Sequence, residues 1–152
     1  MGGIKIRPGL REDASVIHAL LCELEDALGA DQSVTRREED IRLYGFGESS
    51  RFETLLAWRG DEAVGLALYF PEFSSWRGSP GVYVQDLYVS AKLRGTGLGH
   101  ELMQAVFSRA QCWDATYCKL AVYHDNPAAV NFYQRLGFKV SGDECVFLLE
   151  QL

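Results

Sequence analysis

Residues 82–110 limit what this chain can fold into more than any other stretch. A β-rich run, Val84-Gln85-Asp86-Leu87-Tyr88-Val89, leads into Arg94-Gly95-Thr96-Gly97-Leu98-Gly99, and Leu98, Leu102 and Val106 then recur at helical spacing. The segment therefore reads as strand, glycine-rich turn, helix. Glycine at 95, 97 and 99 lets the backbone bend sharply and approach a ligand closely. A helix starting near Leu98 directs its unpaired amides and the positive end of its dipole at whatever the turn holds. Phosphate suits such a cradle, and Arg94 adds a side-chain clamp.

The spacing separates the known phosphate loops. A dinucleotide fingerprint starting at Gly95 needs its third glycine at position 100, which is His100. A P-loop needs a Gly-Lys-Ser/Thr ending, and none is present. What fits is R-x-x-G-x-G, fixed by Arg94, Gly97 and Gly99. The bland alternative is a flexible strand-to-helix connector.

At 152 residues, with 47% hydrophobic and 12% aromatic content, the chain is expected to be one domain spanning 1–152. Its net charge of -6 disfavours nucleic acid or an anionic membrane surface as partner, and no apolar run reaches the roughly 20 residues of a membrane span. Cys22, Cys112, Cys118 and Cys145 form no C-x-x-C pair and have no histidine at zinc-ligand spacing, so reduced thiols, a cytoplasmic location and no metal are expected.

In chain order, residues 4–7 alternate like a strand stopped by Pro8. Asp13 is a candidate N-cap for a helix with Val16, Ile17, Leu20, Leu21, Leu24 and Leu28 on its apolar side, ended by Gly29. Thr35-Arg36-Arg37-Glu38 matches a capping box for a short second helix around Ile41. Residues 52–58 and 63–70 read as a hairpin about Arg59-Gly60-Asp61-Glu62, with 71–81 a loop. A strand is expected at 117–123. Asn126-Pro127 starts a helix carrying Ala129, Phe132, Tyr133 and Leu136, with Gly137 as its C-terminal cap, and strands are expected at 138–140 and 145–149. The order implies an α/β fold with a mixed central sheet flanked by helices.

Three separate places, the strand into the 94–99 loop, Asn126-Pro127-Ala128-Ala129-Val130-Asn131-Phe132-Tyr133 and Leu136-Gly137-Phe138, resemble the GNAT N-acetyltransferase family. A narrower likeness, carried by Ile6-Arg7-Pro8, Gly45-Phe46-Gly47-Glu48, Tyr69-Phe70 before Ser75-Trp76 and the Asp86 strand, is to its spermidine/spermine (diamine) and thialysine branch. The resemblance implies acetyl-CoA as co-substrate, a small-molecule amine as acceptor and a homodimer. It implies cofactor contacts from Leu87, Tyr88 and Val89, from Arg94, Gly95, Thr96, Gly97, Leu98, Gly99 and His100, and from Asn126, Ala129, Phe132 and Tyr133. The chain also departs from that branch. Gln85 stands where the branch carries a glutamate base, and Leu28-Gly29-Ala30-Asp31-Gln32 holds only one acid where the branch holds several for a polyamine.

Acetyl transfer to an amine needs a proton acceptor, a polarised thioester carbonyl and a proton for the departing thiolate. The resemblance implies Tyr133 as the acid and backbone amides around 87–89 as the oxyanion donors. Gln85 cannot accept a proton, so Asp86, Glu72 and a water chain are the candidates for base, in that order. His124 is a further candidate, although a lone histidine is more often structural. Trp76, Tyr83 and Gln85 are candidates for the acceptor pocket. Two other readings stand beside the small-molecule enzyme: a non-catalytic acyl-CoA-binding module, and a peptide or protein N-acetyltransferase.

Overall fold

The computed structural model describes residues 3–29, 34–142 and 144–152. The chain forms two compact units, residues 1–121 and 122–152. The first is built on a five-stranded sheet in the order β1-β2-β3-β4-β5. Strands β1 (Ile4–Pro8), β2 (Glu53–Arg59), β3 (Glu62–Ser74) and β4 (Ser79–Val89) pair antiparallel, and β5 (Cys118–Lys119) pairs parallel to β4, so the sheet is mixed as expected. Helices α1 (Ala14–Ala27), α2 (Glu38–Tyr44) and α3 (Leu98–Ala110) complete this unit.

Strand alternation divides the core between the two sheet faces. Leu56, Leu66, Leu68 and Tyr88 pack with Ile17, Leu20 and Leu21 of α1 and Ile41 of α2 in one buried cluster. On the other face α3 buries Leu98, Leu102, Met103 and Val106 completely. Gly65 permits this close approach, because a Cβ there would lie 3.1 Å from Leu102 Cδ1. Each buried aliphatic side chain contributes about 1.5–3 kcal/mol on leaving water.

Two helix starts differ from expectation. Asp13 sits at the N-cap position of α1 but makes no cap bond to that helix. Its carboxylate instead accepts from the Leu10 amide at 2.8 Å and from Arg7 at 2.7 and 3.2 Å, which ties β1 to the turn before α1. The box expected at Thr35 and Glu38 is displaced by two residues: α2 begins at Glu38, and Asp40 accepts from the Arg37 amide at 2.8 Å. An aspartate three positions on closes the same ring that Thr35 and Glu38 were expected to make.

The expected loop at 71–81 is mostly strand. Pairing continues through Pro71↔Val82, Glu72↔Gly81, Phe73↔Pro80 and Ser74↔Ser79, which leaves only residues 75–78 as a turn. Prolines at 71 and 80 argued against this, since proline cannot donate to a ladder. Pro71 is accommodated because β2 ends opposite Tyr69, so β3 beyond that point has β4 as its one neighbour, and Pro80 because β5 pairs with β4 only at Val82 and Tyr83.

The strand expected at 117–123 is shorter. Only Cys118 and Lys119 pair, with Val82 and Tyr83. Pairing stops at Tyr83, two residues before the irregularity at Gln85 of β4.

In the second unit, helix α4 (Pro127–Arg135) starts as the sequence indicates, with Asn126 Oδ1 accepting from the Ala129 amide at 3.2 Å and proline in the first turn. Gly137 ends it with φ of 99°. Residues 138–140 and 145–149 are not strands among the described residues. Their β-type composition favours extended backbone, but a strand also needs a partner edge in register. Ala30, Asp31 and Gln32 lie outside the described residues.

Candidate active site

The site is set by one extra residue. β3 and β4 pair regularly from Gly65↔Val89 to Leu68↔Asp86 and resume at Tyr69↔Val84, so Gln85 has no place in the ladder. This is a β-bulge, in which two residues of one strand oppose one of the other. Leu68 and Tyr88 belong to the face that packs on α1, and Asp86 pairs with Leu68 between them. The bulge brings Gln85 to the same side. Together they line a cleft of about 210 Å³ whose other walls are Leu21, Leu68, Phe52 and, around α2, Arg36, Asp40, Ile41 and Tyr44.

Within this cleft Asp86 is electrostatically unusual. Removal from water pushes its carboxyl up to about 6, with Glu25 adding to the rise and Arg36 opposing it. Among the described residues its carboxylate has no hydrogen-bond partner. Asp40 is committed elsewhere, to the Arg37 amide and, at 3.0 Å, to the Arg37 guanidinium, and its carboxyl is held low by that pair.

Arg36 is held from α1. It donates to both oxygens of Glu25 at 2.6 and 2.9 Å, through Nε to His18 Nδ1 at 3.3 Å, and weakly to Cys22 Sγ at 3.8 Å. His18 and Cys22 are themselves in contact at 3.7 Å, one helical turn apart. The guanidinium is raised, first by the Glu25 bond, against the cost of its burial.

The glycine-rich turn lies at the other end of β4. Gly95 and Gly97 have φ of 77° and 92°, the left-handed region that favours glycine, and Gly97 is the N-cap of α3. A Cβ at either position would meet nothing within 4 Å, so the turn is open to a ligand. Gly99 lies within the first turn of α3, where it keeps the helix start slim. The Glu101 amide bonds to the Gly97 carbonyl, which leaves the amides of Leu98, Gly99 and His100 ahead of the first helical bond. Arg94 folds back, donating from Nε to the Val89 carbonyl at 3.2 Å, and Thr96 donates to the Leu93 carbonyl. These residues fit a pyrophosphate.

Between cleft and turn, β4 is an open edge. β5 accompanies it only to Tyr83, so beyond that point alternate amides on the side away from β3 have no strand partner among the described residues. Leu87, Tyr88 and Val89 lie on this edge. The Tyr88 side chain is turned into the α1 face, where its hydroxyl donates to Glu23 at 2.9 Å.

The other sequence candidates lie elsewhere. Trp76 is fully exposed in the 75–78 turn, and Tyr83 stacks on Phe70 with centroids 5.2 Å apart. Neither lines the cleft with Gln85 and Asp86. Glu72 lies on the outer hairpin, where it adds to the effect of burial in raising the Tyr117 hydroxyl. It also helps burial push the neighbouring Cys118 thiol up to about 12, the opposite of an activated nucleophile. In the second unit, Tyr133 packs edge-on against Phe132 and Phe138, with centroids 5.0 and 5.5 Å away, and His124 occupies a turn. Asn126 and Ala129 form the α4 cap.

Sequence reasoning missed Arg36, Asp40, Tyr44 and Phe52 as cleft residues. Asp40 and Tyr44 lie four positions apart on α2 and so share one side of it, and Arg36 precedes the helix in the extended segment that leads into its cap. In the sequence the 35–38 segment reads as a cap, which takes Arg36 for part of the helix start rather than a cleft wall.

Comparison with known proteins identifies the family. The sequence model of the Acetyltransferase (GNAT) family matches residues 17–138. The thialysine N-epsilon-acetyltransferase of Mus musculus is 32% identical over 145 residues, covering 90% of this chain and 85% of that protein. The spermine/spermidine N(1)-acetyltransferase of Bacillus subtilis is 29% identical over 91 residues, 58% of this chain and 59% of that one. Among solved structures, an aminoglycoside acetyltransferase from an uncultured soil sample, in complex with sisomicin, superposes with a TM-score of 0.78 over 99% of this chain and 97% of that one, at 16% identity.

Proposed function

Because the chain belongs to the GNAT acetyltransferase family, we propose that it transfers the acetyl group of acetyl-CoA to a primary amine of a small molecule by direct attack on the thioester. The observation that carries this reading is the β4 bulge, which sets a carboxylate of raised pKa in a small cleft on the strand that feeds the glycine-rich turn. Relatives named for thialysine and for spermine or spermidine support an amine acceptor.

Each residue has a part. The α3 amides and the 94–99 turn take the pyrophosphate. The open β4 edge at 87–89 supplies amide donors to the carbonyl oxygen as it gains charge. Asp86 accepts the proton of the attacking amine, directly or through one water. A carboxyl near 6 is mostly ionised at neutral pH yet more basic than an ordinary aspartate, so it is a better acceptor for this purpose. The C–N bond forms, the C–S bond breaks, and Tyr133 gives its proton to the departing thiolate. In this reading residues 1–152 act as one domain, the protein is a cytoplasmic homodimer, and Trp76 and Tyr83 belong to the wider acceptor surface.

Incubation with acetyl-CoA and a panel of amino acids, diamines and aminoglycosides, read by thiol release, tests the reading. Release with at least one amine, lost in Tyr133→Phe while CoA binding by calorimetry persists, is the expected result. Release no faster than hydrolysis with every amine would overturn it in favour of a binding module.

A further inference from the structure

Past the bulge, β4 has a strand neighbour on one side alone. β3 pairs with it there, and its other side is the open edge, so the depth of residues 85–90 depends on how their side chains are anchored. Tyr88 is the most deeply buried residue of that stretch. Its ring belongs to the cluster of Ile17, Leu20 and Leu21 of α1 with Leu66, its partner across the ladder. Apolar packing is non-directional and gives a ring no fixed end-point. A hydrogen bond to a carboxylate is directional and, being charge-assisted, stronger than a neutral one. Tyr88 has such a bond, from its hydroxyl to Glu23 Oε2 of α1 at 2.9 Å.

Arg94 meets the same side chain from the turn. Its guanidinium carbon lies 6.0 Å from the Tyr88 ring centroid, while its Nε donates to the Val89 carbonyl at 3.2 Å. Burial and Glu23 raise the Tyr88 hydroxyl and Arg94 lowers it, so both charges act on it. Glu23, Tyr88 and Arg94 thus form a chain of contacts from α1, across the strand, to the first residue of the glycine-rich turn. Through Glu25 and His18 the same helix also holds Arg36 in the cleft wall.

We propose that Glu23 is a positioning residue for this site: acting through the Tyr88 hydroxyl, it fixes residues 87–89 of β4 and the Arg94 end of the turn at the depth at which backbone amides meet the thioester carbonyl. The proposal rests on the acetyltransferase reading for the reaction it serves and goes beyond it in naming what holds the oxyanion donors. Neither the Glu23 nor the Tyr88 side chain touches a reacting atom.

Four variants test it: Tyr88→Phe, which removes the hydroxyl and leaves the ring in the core, Glu23→Ala, the two together, and Glu23→Gln, whose side-chain oxygen still accepts. Tyr88→Phe and Glu23→Ala should each lower kcat by about tenfold, the low end for loss of a hydrogen bond to a charged group, with KM for the amine unchanged within about twofold. The double variant should be no slower than either single one, and Glu23→Gln should keep most of the rate. Hydrogen exchange supplies a readout that needs no turnover. The Ser90 amide, which bonds to the Val64 carbonyl at 2.9 Å, should exchange faster in Tyr88→Phe and in Glu23→Ala, while core amides of β2 such as Leu56 keep their wild-type rate. An unchanged kcat in either single variant, losses that multiply in the double one, or exchange accelerated in β2 as much as at Ser90 overturns the proposal in favour of a plain core contact. If the wild type turns over no amine, the acetyltransferase reading fails and exchange decides alone: acceleration at Ser90 with β2 unchanged upholds the brace on β4, and its absence overturns it.

Discussion

Two carboxylates, one in the turn between β1 and α1 and one on β4, have opposite surroundings. At the β1 corner, Asp13 receives Arg7 and the Leu10 amide, and those partners hold its carboxyl below the usual range. In the cleft beside the bulge, Asp86 has water removed and no partner among the described residues, and its carboxyl rises. The first arrangement favours the charged form in the folded chain and so contributes to stability. The second penalises that form and so costs stability, and under the proposed mechanism the same penalty is what suits Asp86 to accept a proton.

The sharpest break of this contrast is Asp86→Asn. It should lower kcat by about 10²–10⁴, the range for a lost general base, and remove the acid limb near pH 6 from the rate profile. An unchanged limb in the variant would assign the base to another group. Asp13→Ala should leave kcat intact but lower stability by about 1–2 kcal/mol in denaturant titration, through loss of a helix-entry acceptor and a half-exposed ion pair.

Stability against pH gives a smaller effect of opposite sign at the two sites. Asp86 binds its proton more tightly when folded, so its contribution is most favourable below its unfolded pKa and is lost as pH rises through about 6. Asp86→Asn should therefore melt higher than wild type above about pH 7, with the gap closing near pH 4. Asp13 works the other way: its contribution is present above the unfolded value and is lost as pH falls through its depressed one. The smallest effect belongs to Glu25→Gln. Glu25 raises Asp86, so its neutralisation should move the acid limb of the rate profile downward from about 6.

How much of this was legible in the sequence follows from the range of each interaction. The 94–99 turn, the Asn126-Pro127 helix start and the Gly60 hairpin are local, written by residues adjacent in the chain. The α/β class followed from their order. Arg36 was read as part of a cap because its partners, His18, Cys22 and Glu25, lie eleven or more positions away on another helix. Pro71 and Pro80 signalled a loop because nothing in the local sequence says that β2 stops at the level of Tyr69 or that β5 pairs with β4 only at Val82 and Tyr83. The terminal strands failed for the same reason, since β-type composition does not specify an edge to pair with. Asp86 was ranked first as base from its strand position, but its raised pKa depends on burial that only packing provides.

The bulge has one more consequence. A residue inside a ladder is chosen twice, once for how its side chain packs against its cross-strand partner and once for what it does; Gln85 escapes the first choice because no residue of β3 stands opposite it. Replacements there should be nearly silent in folding while altering the acceptor directly, so a saturation library at this position should return mostly folded proteins with divergent substrate profiles. The place where this chain departs from its likeness to the polyamine branch is thus the place on the strand where change meets the least resistance.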